Sequence, residues 1–123
     1  MNEATLKSAL VHLGRQTLPG HVLLRHEDKM TAGIPDISVT GHGRTLWIEV
    51  KFGVITGRGI QAMTMERLAQ YGMAVYVVYA LSGGVEIRTY DGVVLAKHGK
   101  LGQHSAVLDW IRSTLIAGKV VTP

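Results

Sequence analysis

Asp36-Ile-Ser-Val-Thr-Gly-His-Gly-Arg-Thr-Leu-Trp-Ile-Glu-Val-Lys-Phe52 is the stretch whose reading decides the fold. Asp36 to Thr40 and Thr45 to Phe52 alternate in polarity and are rich in β-branched and aromatic residues, and Gly41-His42-Gly43 separates them. That pattern predicts a β-hairpin. Side chains alternate across a strand, so Leu46, Ile48, Val50 and Phe52 point one way and Trp47, Glu49 and Lys51 the other. Two charges therefore share one face of an otherwise apolar strand. A loop of either His42-Gly43 or Gly41 to Arg44 sets the same register, with Asp36 opposite Glu49 on that face.

Working outward, Leu6, Ala9, Leu10 and Leu13 recur at helical spacing from Asn2, a candidate N-cap, to about Thr17, and Pro19-Gly20 stops the run. His21 to His26 reads as a short strand, and Glu27 to Gly33 as a polar connection. Beyond the hairpin, Gly53 to Gly59 is a glycine-punctuated loop. Ile60 to Tyr71 is helical with Met65, Leu68 and Ala69 inward and Gly72 as C′ residue. Ala74 to Ala80 is nearly continuously apolar, as expected of a strand covered on both faces. Val85 to Tyr90 and Val93 to Lys97 flank Asp91-Gly92, a hairpin signal. Ser105 is the predicted cap of a last helix reaching about Ala117, with Val107, Leu108, Ile111 and Leu115 inward. The order α-β-β-β-α-β-β-β-α predicts an α/β (α+β) chain: one mixed β-sheet flanked by helices, a single domain over residues 1–123.

Composition narrows the chemistry. The 123 residues contain no cysteine, which excludes disulfides, iron–sulfur clusters, thiolate zinc sites and a cysteine nucleophile. No apolar run is long enough to span a membrane, and the N-terminus lacks a signal-peptide layout, so a cytoplasmic location is expected. The net charge of +4 permits a polyanionic partner. The six histidines show no metal-site spacing. His42 reads as a turn residue, and His98 and His104 as surface residues. Residues 53–59 contain no phosphate-binding P-loop, so no nucleotide cofactor is expected. Ser82 and Ser105 lack a partnered His and Asp. Trp110 and Tyr71 read as core or interface.

What remains is an oxygen-rich constellation. Two carboxylates directly opposed on a hairpin lie ~4.5–5.5 Å apart at Cβ. They repel unless a proton or cation sits between them. Oxygen donors select a hard ion, Mg²⁺ or Mn²⁺. Lys51, on the same face, is placed to orient or deprotonate a water, or to stabilise charge developing at phosphorus. Glu3 continues the buried stripe of the first helix and Gln61 that of the second. Both are expected to aim polar heads at the sheet face that carries Glu49 and Lys51. Arg58, and Lys29 in the polar connection, are candidate contacts for backbone phosphates. Taken singly, a Glu-x-Lys pair is an ordinary solvated pair, a Pro-Asp an ordinary turn, and Glu3 an ordinary helix-dipole residue; the joint pattern carries the reading.

Pro35-Asp36 and Glu49-Val50-Lys51 resemble the signature of the PD-(D/E)xK nuclease superfamily. With Glu3, Gly33 to Asp36, Gln61 opening the next helix, and Arg67 to Gly72 leading into Val75 to Val78, the chain is similar to its VRR-NUC branch over about residues 1–80. The resemblance implies a restriction-endonuclease-like fold. It implies Asp36, Glu49 and the Val50 carbonyl as ligands of Mg²⁺ (or Mn²⁺), with Glu3 contributing through water. It also implies Lys51 as the residue assisting the attacking water, with Glu3 and Gln61 supporting the site. Stand-alone members of that branch, of phage or bacterial type, are homodimers that cut branched DNA such as four-way (Holliday) junctions; larger relatives process flaps. The expectation is thus a homodimeric, metal-dependent DNA endonuclease. The alternatives are a flap- or single-strand-processing nuclease, and a nucleic-acid-binding module that keeps the fold without catalysis. Residues 81–123 have no counterpart in the resemblance.

Overall fold

A computed structural model describes residues 2–27, 33–53 and 60–120. Among them the elements run α1 (Glu3–Thr17), β1 (Val22–Arg25), β2 (Ile37–Gly41), β3 (Arg44–Phe52), α2 (Ile60–Tyr71), β4 (Met73–Tyr79), β5 (Val85–Arg88), β6 (Val94–His98) and α3 (Gln103–Ala117). The order is the expected one. The strands form one sheet in chain order, β1 to β6, with every neighbouring pair antiparallel except β3 and β4. A parallel pair needs a crossover, and α2 is that crossover.

Local chemistry accounts for most boundaries. The Asn2 side chain accepts from the Thr5 amide (2.9 Å), capping α1. The β2–β3 turn is the two-residue His42-Gly43, both with positive φ (54° and 74°). That conformation matches the right-handed strand twist, and the glycine adopts it without steric cost. The register follows: Ile37 pairs with Ile48, Ser38 with Trp47, and Gly41 with Arg44.

Four local expectations are corrected. Ser105 lies inside α3, whose N-cap is Gly102 in a left-handed conformation (φ 71°) without a side-chain cap. Gly102 reaches a backbone geometry that opens the helix earlier than a hydroxyl cap would. Asp91-Gly92 turns the β5–β6 hairpin within a longer loop: the Thr89 amide donates to the Val93 carbonyl and the Gly92 amide to that of Thr89. Only Gly92 of the pair has positive φ, so the two-residue turn geometry is not formed. Gly72 is not left-handed either, because the chain enters β4 directly at Met73. His104 is half-buried, since its Nδ1 is 2.7 Å from the Tyr79 hydroxyl.

The sheet has two unlike faces. On one, Ile37, Val39, Leu46, Ile48, Val50, Val75, Val77 and Tyr79 pack against Leu6, Leu10 and Val11 of α1 and against Val107, Leu108, Ile111 and Leu115 of α3. On the other, Ala74, Tyr76 and Val78, with Trp47 beside them, pack against Met65, Leu68 and Ala69 of α2. β4 is buried along its whole length because it is covered on both sides. The larger, two-helix face carries the main apolar core. Leu10, 1% exposed, sits at its centre. Leu10→Ala is expected to cost about 2–5 kcal/mol, as deletions of buried leucine side chains do, read as a lower midpoint with unchanged slope in urea unfolding.

Candidate active site

The hairpin register carries Asp36 to Glu49, as expected, although β2 itself begins one residue later. Asp36 sits at a bend, with its carbonyl accepting the His26 amide (2.7 Å), so the β1–β2 ladder holds it in place. Its amide then donates to Glu49 Oε1 (3.0 Å), and the Val50 amide donates to Asp36 Oδ2 (3.0 Å). Each residue's carboxylate is thus fixed by main-chain N–H from the other strand. An extended residue turns its N–H and C=O to the same side. The Val50 carbonyl therefore faces the same edge of β3 as the Asp36 carboxylate.

Glu49 is 3% exposed. It lies on β3 between Trp47 and Lys51 and pairs in register with Tyr76, under the α2 layer. Its second oxygen, Oε2, accepts from Gln61 Nε2 in the first turn of α2 (2.5 Å) and meets Lys51 Nζ at 3.2 Å. Gln61 and Lys51 are therefore where the sequence reading expected them, on the Glu49 face. Burial, reinforced by the neighbouring Asp36 charge and only partly offset by Lys51, raises the Glu49 carboxyl to about 7. Burial and then the Glu49 charge also push the Tyr76 hydroxyl upward, keeping it protonated.

The sheet face expected of Glu3 is corrected. Helix α1 packs on the opposite face of the sheet, against Ile48 and Val50, so Glu3 does not share the face of Glu49 and Lys51. It makes no hydrogen bond or ion pair with any described residue. A helical stripe states which side of the helix is buried, not which side of the sheet it covers. The residue that α1 does send to the site is one turn further on. Lys7 Nζ bonds Asp36 Oδ1 at 3.0 Å, reaching it from the sheet end. No signal in the sequence marked it, since its partner is set by the packing of α1. His26 was also missed. It stands beside Asp36, its Nε2 2.8 Å from the buried Ser38 hydroxyl and its ring 5.2 Å from that of Trp47. Lys29 and Arg58, and with Arg58 the residue 54–59 part of the loop, lie outside the described residues.

Among the described residues no three His, Cys, Asp or Glu side chains cluster as metal ligands. The donors that fit a hard divalent ion are two carboxylates, Asp36 and Glu49, and the Val50 carbonyl. Their chemistry suits Mg²⁺, which takes one or two carboxylates and completes its shell with water or phosphate. The geometry agrees: the two carboxylates are held together, each accepting a main-chain amide N–H, Glu49 that of Asp36 and Asp36 that of Val50.

A mixed six-stranded sheet with helices on both faces, the acidic pair lying where the start of β2 meets the middle of the parallel β3–β4 ladder, is a restriction-endonuclease-like fold. Among solved structures, Hjc of Archaeoglobus fulgidus, a Holliday junction resolvase from an archaeal hyperthermophile, superposes with a TM-score of 0.51 at 14% identity. The match covers 79% of this chain and 87% of that one. No protein-family model matches the chain, and no curated protein is a detectable relative by sequence.

The raised Glu49 carboxyl has a consequence for stability. The folded state binds this proton more tightly than the unfolded chain, so the stability it confers is fully present below about pH 4.5 and is lost as pH rises to about 7. In chelator, the melting temperature of the wild type relative to Glu49→Gln is expected to fall across that window, measured by differential scanning calorimetry.

Proposed function

We propose that the protein is a divalent-metal-dependent DNA endonuclease that hydrolyses phosphodiester bonds in branched DNA, four-way junctions in particular, as a homodimer. The observation that carries this reading is the mutual anchoring of Asp36 and Glu49, with Lys51 and Gln61 on the same carboxylate. The Hjc-like fold supports the substrate class by analogy.

In this reading Asp36, Glu49 and the Val50 carbonyl hold Mg²⁺ or Mn²⁺. When bound, the ion supplies Lewis acidity at the scissile phosphate and offsets charge in the transition state. The rest is work for the chain's own residues. Lys51 Nζ stands on the reacting side of Glu49 and, as an ammonium, donates to the incoming water or to a non-bridging phosphate oxygen. Gln61 holds Glu49 in one rotamer from a separate element, so the carboxylate does not swing as the substrate arrives. Tyr76 and the α2 layer keep bulk water from the inner side of Glu49. Asp36, tied to β1 and β3 through its own backbone, supplies a fixed second carboxylate. Recognition is of backbone and shape, through phosphate contacts. Two copies double the chain's +4 and offer two sites for paired cuts.

A labelled four-way junction, compared with duplex, flap and single strand, tests this. Cleavage in Mg²⁺ is expected for the junction first. Lys51→Ala and Glu49→Gln are expected to lose at least ~10²-fold in single-turnover rate, with junction binding retained in a gel shift. Cleavage of flaps alone would favour the flap-processing alternative. Binding without cleavage in either ion would leave only the binding module.

A further inference from the structure

Lys7 poses a question that the four-residue motif does not answer. It comes from α1, on the far face of the sheet, yet its ammonium bonds an Asp36 oxygen at 3.0 Å, and the Asp36 and Lys7 side chains are 19% and 18% exposed. A lysine placed only for solubility would extend into water. This one is turned in to the carboxylate that, on the reading above, takes the ion. The second Asp36 oxygen is held by the Val50 amide, and the Glu49 oxygens by the Asp36 amide, Gln61 and Lys51. Each of the two carboxylates therefore has its own lysine. Lys51 rides on the same strand as its partner, two residues away. Lys7 is on a different element and is the one cation of the pair that can withdraw by rotating its four-carbon stem while the strands stay fixed.

We propose that Lys7 is an internal counter-cation that competes with the divalent ion for Asp36, and that its displaced ammonium then becomes a contact for a DNA backbone phosphate. This rests on the metal-dependent reading above and concerns what this residue does in it. A dication and an ammonium on one carboxylate oxygen repel each other, so the ion enters at the expense of the Lys7–Asp36 pair. The freed ammonium remains within its stem's reach of the site, where an incoming phosphate supplies the negative charge it has lost. Ion and DNA then favour each other's binding, because each takes one member of the same ion pair. Lys7 is a positioning residue in the ion-free protein, holding Asp36 in line, and a specificity element in the loaded one.

The sign of the effect separates this from a merely structural role. If Lys7 only ordered Asp36, its loss would weaken ion binding. Competition predicts the reverse. Lys7→Met keeps the stem, Lys7→Gln a polar head, and Lys7→Arg the charge. The melting temperature of each intact protein would be followed in a titration with Mg²⁺, Mn²⁺ and non-catalytic Ca²⁺, which also reports whether each variant folds. Junction affinity would be measured in Ca²⁺ at several salt concentrations. Lys7→Met and Lys7→Gln are expected to shift the ion midpoint several-fold lower, and Lys7→Arg to leave it near the wild-type value. Lys7→Met is also expected to weaken junction binding and reduce its salt slope by about one. An unchanged or higher midpoint in both neutral variants, with the wild type still responding to ion, overturns this inference alone, as does an unaltered salt slope. No ion response in the wild type, matched by Asp36→Ala, overturns the metal-dependent reading and this inference with it.

Discussion

Everything about the site depends on one reciprocal pair of hydrogen bonds. The Asp36 amide reaches the Glu49 carboxylate, and the Val50 amide reaches the Asp36 carboxylate. Two acidic side chains that would repel in water are thereby held by main-chain groups whose positions the sheet dictates. The β2–β3 register sets which residues meet, and the His42-Gly43 turn sets the register. A one-residue slip would turn Glu49 and Lys51 into the apolar core and Ile48 and Val50 out of it. The register that pairs the hairpin also brings the two carboxylates together.

The two sheet faces divide the labour. The face under α1 and α3 is apolar and carries the main core. The face under α2 carries a smaller cluster and, in register with its Tyr76, the buried Glu49. Burying a carboxylate costs free energy unless it is hydrogen-bonded or paired, and Glu49 has the Asp36 amide, Gln61 and Lys51 as partners. Even so its affinity for a proton stays high, because desolvation and Asp36 outweigh Lys51. The α1 layer reaches the same point from behind through Lys7, so both layers contact the acidic pair although only one shares its face.

Much of this was legible in the residues. Alternation along Thr45 to Phe52 separated Ile48 and Val50 from Glu49 and Lys51, and the short turn placed Asp36 against Glu49. Periodicity put Gln61 on the inner side of α2. These inferences hold because strand and helix periods are local and rigid. What failed was tertiary. The stripe on α1 identified Leu6 and Leu10 as buried, but nothing in a stripe names the sheet face it meets, so Glu3 was aimed at the wrong one. Lys7, on the flank of that stripe, looks in sequence like any solvated lysine; only the path of α1 past the end of β2 makes it a partner of Asp36. Capping failed where backbone conformation, at Gly102, outweighed side-chain chemistry at Ser105. For Lys29 and Arg58 the sequence expectation stands by itself, since they fall outside the described residues.

The central claim is that Asp36 and Glu49 form one ion site, and it can be seen directly. Crystals of the protein soaked with Mn²⁺ would be measured at the manganese absorption edge for anomalous scattering. The account predicts an anomalous peak in contact with a carboxylate oxygen of each of Asp36 and Glu49 and near the Val50 carbonyl, with Lys7 drawn away from Asp36. An ion bound elsewhere, or a Lys7–Asp36 pair intact at saturating Mn²⁺ with no peak between the two carboxylates, would contradict it.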